Sequence, residues 1–413
     1  MEPVLVAGID VHKSMLAVVI GGEGMAESSY ERGKFGTSTA QIRVLAEWLR
    51  EHGVVEVAME STAQYWRTVW LGLEGQFRLQ LAQARSNPAP KGRKSDYRDA
   101  LRIVRRMLAK DLTLSLVPPA EQRAWRIWAR TRVQRIHTSQ QARNRIECIL
   151  EEGQIKLSSV VSDLLGKTGR RILDALVKGE ADPVVLAAMA DRRIRAPAAQ
   201  MQEACDGRML PVHRQILRLF LEQVDELDKQ IQQIERQLAE AQQEHVEAIR
   251  RLCEIPGIDV NAARQIVAEV GATVAAFATA EQLASWAGVC PGREESAGVS
   301  SRNASAKGNR HLRRILNQVA WAAVRTKGSY FQLRFERWVV RLGANQAAWA
   351  IAHKVLKLIW KVLKQGVHYQ ERGTLPQDPK AVKRLRLRHT AALRKPGYTV
   401  TLTPAIPSAE AGA

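Results

Sequence analysis

Four acidic residues stand at positions where a folded chain would place apolar or capping side chains. Asp10 lies inside the apolar run GIDV, and Glu60 ends the apolar run VEVAME. An ionised carboxylate in such surroundings is costly unless it is exposed at a sheet edge or bound to a cation. Asp96 and Asp99, in KSDYRDA, are three residues apart and would project from one face of a helix. Carboxylates from three separate elements suit Mg²⁺, and two such ions can stabilise the attacking and leaving oxygens of a phosphoryl transfer.

Taken singly, some of these acids have a structural explanation. Asp96 falls in a first helical turn, where acids cap the helix or complement its dipole, and Glu60 could cap the helix that follows it. Asp10 resists this explanation because it is flanked by VLVAGI and Val11. Four acids at the ends of the correct elements of one fold are more specific than any one of them, and they indicate a catalytic metal site.

The elements around these acids follow the order of an RNase H-like or RuvC-like α/β domain, which we predict for residues 1–110. Alternation and apolar runs predict a hairpin over 4–20 and strands near 28–36, 54–60 and 77–83. Helices are predicted over 39–53 and 62–74 and from Ser95 onwards.

The remainder of the chain is predicted to be mainly α-helical. A long helix over 119–149 interleaves arginines with Trp125 and Trp128. From Leu217 the apolar residues recur in alternating steps of three and four, the heptad seam of a coiled coil over 217–250. The seam must pack against the arginine-rich helix, another protomer, or both. We therefore predict a helical RNA-binding and dimerisation region at 111–250.

A second helical domain is predicted at 251–370. EIPGIDVNAARQIVAEVG has Pro256 and Gly257 at a tight turn, either in a phosphate-binding helix-hairpin-helix or in an ordinary helical hairpin. A loop rich in Gly and Ser follows at about 289–309, then further helices. Residues 371–413 predict a basic, Pro-containing tail that is partly disordered.

The charge of the chain indicates a polyanionic partner. Lysine and arginine number 62 against 42 acidic residues, which gives a formal net charge of +20 and a pI near 10.2. The basic residues are spread over several helices and form no single amphipathic membrane anchor. No apolar run is long enough for a membrane span, and the N-terminus lacks a signal pattern, so we expect a cytoplasmic protein without a membrane partner.

Three motifs resemble those of the DEDD transposases of bacterial insertion sequences: GIDVHK, AMESTAQYW and NPAPKGRKSDYRDA. The similarity covers about residues 4–368. It implies a RuvC-like domain in which Asp10, Glu60, Asp96 and Asp99 are the catalytic ligands of Mg²⁺. It also implies that the enzyme cleaves and rejoins DNA strands.

The resemblance further implies a serine nucleophile in the C-terminal half. ASWAGVCPGREESAGVSSRNASAKGNRHLRRIL is similar to the family's second catalytic region, in which a loop serine attacks the DNA phosphate to give a phosphoserine intermediate. The serine after the PxxxE stretch is Ser296. Ser300, Ser301 and Ser305 compete for the role, because Ala297 stands where the family often has Gly.

Two groups of basic residues are candidate nucleic-acid ligands. On the arginine-rich helix they would bind RNA through phosphates and stacking, or else form an ordinary solvated face. Around the serine loop they would clamp DNA phosphates, or line a solvated helix start. The two groups are Arg123, Arg126, Arg130, Arg132, Arg135 and Arg143, and Arg293, Arg302, Lys307, Arg310, Arg313 and Arg314.

The family resemblance implies a noncoding guide, or bridge, RNA that pairs with target and donor DNA, and a dimer or tetramer in which protomers share active sites. Two alternatives use the same residues differently. A metal-dependent junction nuclease would use water as its nucleophile, and a nucleic-acid scaffold would bind without cleaving.

Overall fold

The chain folds into two compact units, Met1–Pro119 and Ala120–Ala413. The computed structural model describes residues 4–61, 63–83, 95–290 and 307–371, the backbone of 294–296 and 299–302, and the single residues 387, 390 and 401. Most of the predicted tail at 371–413 therefore lies outside the described residues. In the part of the chain that is described, no helix combines the length and apolarity of a membrane span. The division at 110, 250 and 370 stays a prediction.

A five-stranded mixed sheet forms the centre of the first unit, in the order β3-β2-β1-β4-β5. The first three strands are antiparallel, whereas β1, β4 and β5 are parallel. This topology, with helices on both faces, confirms the predicted RNase H-like α/β fold. The strands are β1 (Leu5–Val11), β2 (Met15–Gly22), β3 (Glu31–Gly36), β4 (Val54–Glu60) and β5 (Arg78–Ala82).

The two faces of the sheet carry different helices. Ala7, Ile9 and Val11 of β1 belong to the core that includes buried residues of α1 (Thr39–Glu51) and α2 (Trp66–Leu73). Because side chains alternate along a strand, Val6, Gly8 and Asp10 point to the opposite face. There Val6 packs with α3 (Asp96–Leu108).

Gly8 lets α3 approach the sheet closely. A Cβ atom at this position would lie 2.5 Å from the carbonyl oxygen of Ala100, a backbone atom of α3 that cannot move independently. Such close approach is a common reason for glycine inside a strand. Asp10 lies two residues further along the same face of the sheet. It is therefore on the side that α3 covers, and Asp96 and Asp99 belong to the first turn of α3.

Two long antiparallel helices, α4 (Ala120–Glu152) and α8 (Pro211–Ala241), run through the second unit. Three hydrogen bonds between the two helices show that they are antiparallel. From one bond to the next, the residue number increases on α4 and decreases on α8. The contacts are Trp125 Nε1 to Ala241 O at 3.0 Å, Arg132 Nε to Glu235 Oε1 at 2.7 Å, and Arg143 Nη2 to Asp228 Oδ2 at 3.2 Å. Within one chain, the arginine-rich helix is therefore the partner of the predicted seam.

The seam itself is largely as predicted. Five of its seven apolar positions are buried, while Phe220 and Ile231 are half-buried and Leu221 is buried beside them. The buried five are Leu217, Val224, Leu227, Ile234 and Leu238.

Both long helices contribute to two separate cores. One core joins the C-terminal part of α4 to the first half of α8 and to α5 (Lys167–Lys178), α6 (Pro183–Ala188) and α7 (Ala198–Cys205). The other joins Trp125 and Ala129 of α4 to the last six helices. These are α9 (Val246–Cys253), α10 (Val260–Val270), α11 (Ala280–Ala287), α12 (Arg310–Arg325), α13 (Tyr330–Leu342) and α14 (Ala344–Gln365).

The segment predicted as a loop at 289–309 contains a short antiparallel hairpin, which we call the serine hairpin. Its strands are β6 (Glu294–Ser296) and β7 (Val299–Arg302), with Ser296 paired to Val299. The prediction missed these strands because their sequence carries no apolar alternation.

Candidate active site

The sheet register brings Asp10 and Glu60 side by side. Ile9 of β1 is paired with Met59 of the parallel strand β4, so the next residue on each strand is one of the two acids. Ala58, two residues before Glu60, packs against α3, and alternation therefore puts Glu60 on the same face as Asp10. Two carboxylates thus lie at neighbouring strand ends beneath the start of α3.

A histidine connects Asp10 to the first acid of α3. His12 Nε2 lies 3.1 Å from Asp10 Oδ2 and 3.4 Å from Asp96 Oδ1. One ligand atom from each of these three side chains falls within 4.8 Å of the others, the spacing of groups that share a metal ion. His12 was not among the predicted site residues, although its position two residues after Asp10 could have indicated it.

An arginine connects the other two acids. Arg102 Nη1 donates to Asp99 Oδ1 at 2.5 Å, and its Nη2 donates to Glu60 Oε2 at 3.4 Å. All three side chains are mostly buried. The four predicted acids therefore form one cluster, which we call the acid cluster, with His12 on one side and Arg102 on the other.

Burial disfavours the ionised form of two carboxyl groups in the acid cluster, so a bound cation would stabilise them. Burial raises the pKa of Asp10, an effect that His12 opposes and that the charges of Asp99 and Asp96 reinforce. It also raises the pKa of Glu60, an effect that Arg102 opposes. Without a compensating positive charge, the ionised carboxylates would be desolvated and would repel one another.

The donor set fits a divalent metal. Asp10, Glu60, Asp96 and Asp99 offer hard oxygen ligands, which Mg²⁺ and Mn²⁺ accept, and the imidazole of His12 is a ligand more typical of transition metals. The Arg102 guanidinium already bridges Glu60 and Asp99, and the His12 imidazole lies between Asp10 and Asp96. The part of the NPAPKGRKSDYRDA motif before Ser95 lies outside the described residues.

Ser296 lies in the second unit, as the last residue of β6. Its competitors Ser300 and Ser301 lie on β7, whereas Ser305 and Ala297 fall outside the described residues. Since the side chains of 294–302 are not described, the nucleophile role of Ser296 stays a prediction.

The basic residues after the serine hairpin differ in their contacts. Lys307 and Arg310 are exposed, whereas Arg313 donates to the carbonyl of Gly288 and lies 4.5 Å from the ring centre of Trp349. Arg314 donates to Gln265 Oε1 at 2.8 Å, and burial lowers its pKa. Arg293 and the side chain of Arg302 lie outside the described residues. Of the four members whose side chains are described, Lys307 and Arg310 are thus the most available to a phosphate.

A buried carboxylate holds the start of α12. Glu269 of α10 is only 1% exposed and accepts two 2.8 Å hydrogen bonds from Arg130 and one from Asn309 Nδ2. Burial alone would raise the pKa of Glu269, but Arg130, Arg126 and Asn309 outweigh it and hold the pKa below its usual range. Asn309 also caps α12. The network therefore joins the arginine-rich helix to the helix that follows the hairpin.

Several arginines of α4 make intramolecular contacts. Arg126 donates to the carbonyls of Ala268 and Glu269, and burial lowers its pKa to about 10. Arg130, Arg132 and Arg143 pair with acids of α10 and α8. Arg135 is exposed and Arg123 is half-buried. RNA binding by all six stays a prediction, with Arg135 the most accessible of them.

The turn between α9 and α10 is better explained as a helical hairpin than as a phosphate site. Gly257 has a φ of +86°, and a Cβ there would lie 2.6 Å from the backbone nitrogen of Ala323 in α12. The side chain of Asp259 caps α10 by accepting from the amide of Ala262 at 2.7 Å. The turn is thus packed against another helix, and a negative charge stands where a phosphate would bind.

Comparison with known proteins gives two matches, and both are to family models of transposases. Residues 7–154 match a transposase family model, that of the DEDD transposase of the IS110 type. Residues 249–336 match the model of the transposase IS116/IS110/IS902 family. No curated protein matches the chain. The first match contains the acid cluster and all of α4, and the second contains the serine hairpin and the α9–α10 turn.

Proposed function

Since the chain belongs to the IS116/IS110/IS902 family of transposases, and is therefore a DNA transposase or recombinase, we propose that it cuts and rejoins DNA through Ser296 with the aid of Mg²⁺. The observation that carries this proposal is the convergence of Asp10, Glu60, Asp96 and Asp99 beneath the start of α3. The family implies a divalent metal, and the acid cluster is the part of the described chain that supplies its ligands.

Each acid has a role in holding the ion. Asp10 and Asp96, with His12 between them, provide one side of the site, and Glu60 and Asp99, with Arg102 between them, provide the other. When bound, the ion supplies positive charge that neutralises the scissile phosphate and the leaving oxygen. Arg102 would have to release oxygens of Glu60 and Asp99 for the ion to use them as ligands.

The strand cut is a phosphoryl transfer to serine. The Oγ atom of Ser296 forms a bond to phosphorus, the bond from phosphorus to one bridging DNA oxygen breaks, and the serine proton passes to a carboxylate of the acid cluster. The leaving oxygen takes a proton from solvent. Because the phosphoserine ester retains the energy of the broken linkage, the reverse transfer to another DNA end restores a phosphodiester without ATP.

Sequence recognition is proposed to rest on a noncoding guide RNA that pairs with target and donor DNA. The net charge of +20 supports a large polyanionic ligand. Arg135 on α4 and Lys307 and Arg310 after the serine hairpin are exposed and suit backbone contacts, which carry no sequence information. Pairing would then read the sequence, while the protein reads backbone and shape.

We further propose that the active enzyme is a dimer or tetramer in which the serine of one protomer acts with the acid cluster of another. Mixing two inactive variants tests this directly. Ser296→Ala and Asp10→Asn, each inactive alone, should recover part of the activity when combined, because some active sites then receive both intact residues. Activity confined to sites within one protomer predicts no recovery.

Denaturing electrophoresis of labelled DNA, incubated with protein, Mg²⁺ and the element's RNA, tests the chemistry. A covalent protein–DNA species is expected with the wild type and with Ser300→Ala and Ser301→Ala, and its loss is expected with Ser296→Ala and Asp10→Ala. Cleavage that survives Ser296→Ala but not Asp10→Ala identifies a nuclease that uses water. Binding without cleavage, indifferent to Asp10→Asn, identifies a scaffold.

A further inference from the structure

A basic and aromatic cavity opens in the second unit. It has a volume of about 1020 Å³ and lies between the start of α11, α13, α14 and residues 367–370. Pockets for single small molecules span roughly 300–1,000 Å³, so this cavity lies at the upper end of that range.

The charge of the cavity is positive. Lys354 and Lys361 are exposed on its edge and stand seven residues apart on α14, which places them on one face of the helix. Arg334 of α13 adds a third cation. The one acid among the lining residues, Glu281, pairs with a further lysine, Lys357, at 2.5 Å. The excess of positive charge suits a ligand with regularly spaced negative groups.

The aromatic rings of the cavity are held in fixed positions. Trp360 Nε1 donates to the carbonyl of Phe277 at 3.1 Å, and Tyr369 Oη donates to Glu371 at 2.8 Å. The guanidinium of Arg334 lies 5.2 Å from the ring centre of Tyr330. All three rings are half-buried, so each keeps exposed area for a ligand. Rings fixed before binding lose little entropy when a flat group stacks on them.

We infer that this cavity binds a single-stranded segment of the DNA substrate, with bases stacked on Tyr330, Trp360 and Tyr369 and phosphates against Lys354 and Lys361. Cations interleaved with exposed rings are the general means of binding single strands without sequence preference. A duplex offers its phosphates but keeps its bases stacked inside. The strand exchange proposed above exposes unpaired DNA, which such a site suits. The inference rests on the DNA substrate of the family and requires neither Ser296 nor a guide RNA.

Photo-crosslinking locates the site. A short oligodeoxynucleotide that carries 5-iodouracil is bound to the full-length protein without RNA or metal, irradiated, and digested for mass spectrometry. Adducts are expected on Tyr330, Trp360 or Tyr369, because the excited base reacts with the ring on which it stacks. Adducts confined to residues outside the cavity overturn the inference.

Binding of fluorescent oligothymidylate to matched variants measures the contribution of each group. Tyr369→Leu should weaken binding roughly 5- to 100-fold, whereas Tyr369→Phe, which keeps the ring and loses only its hydrogen bond to Glu371, should weaken it much less. Lys354→Gln combined with Lys361→Gln should lower the slope of log affinity against log salt by about 1.4, the value for two phosphate contacts. Lys364→Gln, on α14 but outside the cavity, is the control for a lost lysine.

Two probes decide between classes of nucleic acid. The same variants are titrated with oligouridylate and with a DNA duplex of equal length. Losses seen for oligouridylate but not oligothymidylate assign the cavity to RNA and overturn the inference. Equal losses for the duplex identify plain phosphate contact and overturn it as well. An unchanged affinity in every variant also overturns the inference. Failure to detect the covalent protein–DNA species would count against the proposed chemistry and would not affect the binding measured here.

Discussion

The Arg130 guanidinium faces the Glu269 carboxylate through two parallel hydrogen bonds, each 2.8 Å long. This bidentate geometry is the strongest arrangement available to such a pair, and Glu269 is almost completely removed from solvent. Because the same carboxylate accepts from Asn309, one buried acid links α4, α10 and α12. The helix proposed to bind RNA is thereby connected to the helix after the serine hairpin.

Glu269→Gln should destabilise the protein strongly. The substitution leaves Arg130 and the buried Arg126 without their counter-charge, and breaking a buried ion pair from one side costs about 3–5 kcal/mol. Chemical unfolding followed by circular dichroism measures the change. Glu235→Gln is the control, because Glu235 pairs with Arg132 nearer the surface and its loss should cost about 1 kcal/mol or less. Equal effects of the two variants would contradict the buried network.

Asp10→Asn should stabilise the metal-free protein at neutral pH. Since burial raises the pKa of Asp10 in the folded state, the contribution of Asp10 to stability is greatest when Asp10 is protonated and is lost as the pH rises through that pKa. The amide removes this loss, and a gain of roughly 0.5–2 kcal/mol is expected, as when a strained functional residue is replaced.

Thermal unfolding across a pH series checks the sign. The difference between Asp10→Asn and wild type should shrink as the pH falls and Asp10 becomes protonated in both states. Glu47→Gln on α1 replaces an exposed acid of the same unit and should change stability little at any pH. A variant less stable than wild type at neutral pH would show that the Asp10 charge is favourable without metal.

Arg102→Gln should tighten metal binding. The guanidinium occupies oxygens of Glu60 and Asp99 that a divalent ion would use, and it repels that ion. Removing one positive charge a few ångströms from the site is expected to raise Mn²⁺ affinity about tenfold by isothermal titration calorimetry. Arg43→Gln, exposed on α1, is the matched loss of charge and should leave the affinity unchanged. Weaker binding in Arg102→Gln would instead show that the arginine orders the ligands.

Arg135→Gln should weaken RNA binding without loss of stability. Arg135 is exposed on α4, and one lost phosphate contact is expected to lower the salt slope of binding by about 0.7–0.9. Arg132→Gln, in which the Glu235 pair is lost, should instead lower the stability of the helix pair. Filter binding over a salt series, together with thermal unfolding, separates the two effects. An unchanged slope for Arg135→Gln would remove it from the RNA interface.

Local patterns predicted the first unit well. The apolar runs of β1 and β4 predicted these strands, and the four acids were expected to share one metal site. The structure adds that β1 and β4 are adjacent parallel strands, which brings Asp10 and Glu60 side by side. The contact between Arg102 and Glu60 could not be predicted, because it depends on how closely α3 packs on the sheet. That distance is set by Gly8, whose role is visible only once Ala100 is placed opposite it.

Amino-acid composition could not predict which arginines of α4 are available to bind a nucleic acid. Arg126, Arg130 and Arg132 look equally suited to bind a polyanion, yet each meets an acid or a carbonyl on another helix. Their partners Glu269 and Glu235 are more than a hundred residues away along the chain, and no local spacing indicates them. Charge count predicted the class of ligand, but tertiary packing decides which side chains are available for it.

The length of α4 determines where the second unit can be truncated. At 33 residues, or about 50 Å, it supplies side chains to the cores at both of its ends. A protease cut or a gene truncation that removes this helix would expose apolar side chains of both cores to solvent. Expression trials should therefore begin the second unit no later than Ala120, since a fragment that starts at α9 would present bare hydrophobic surface and precipitate.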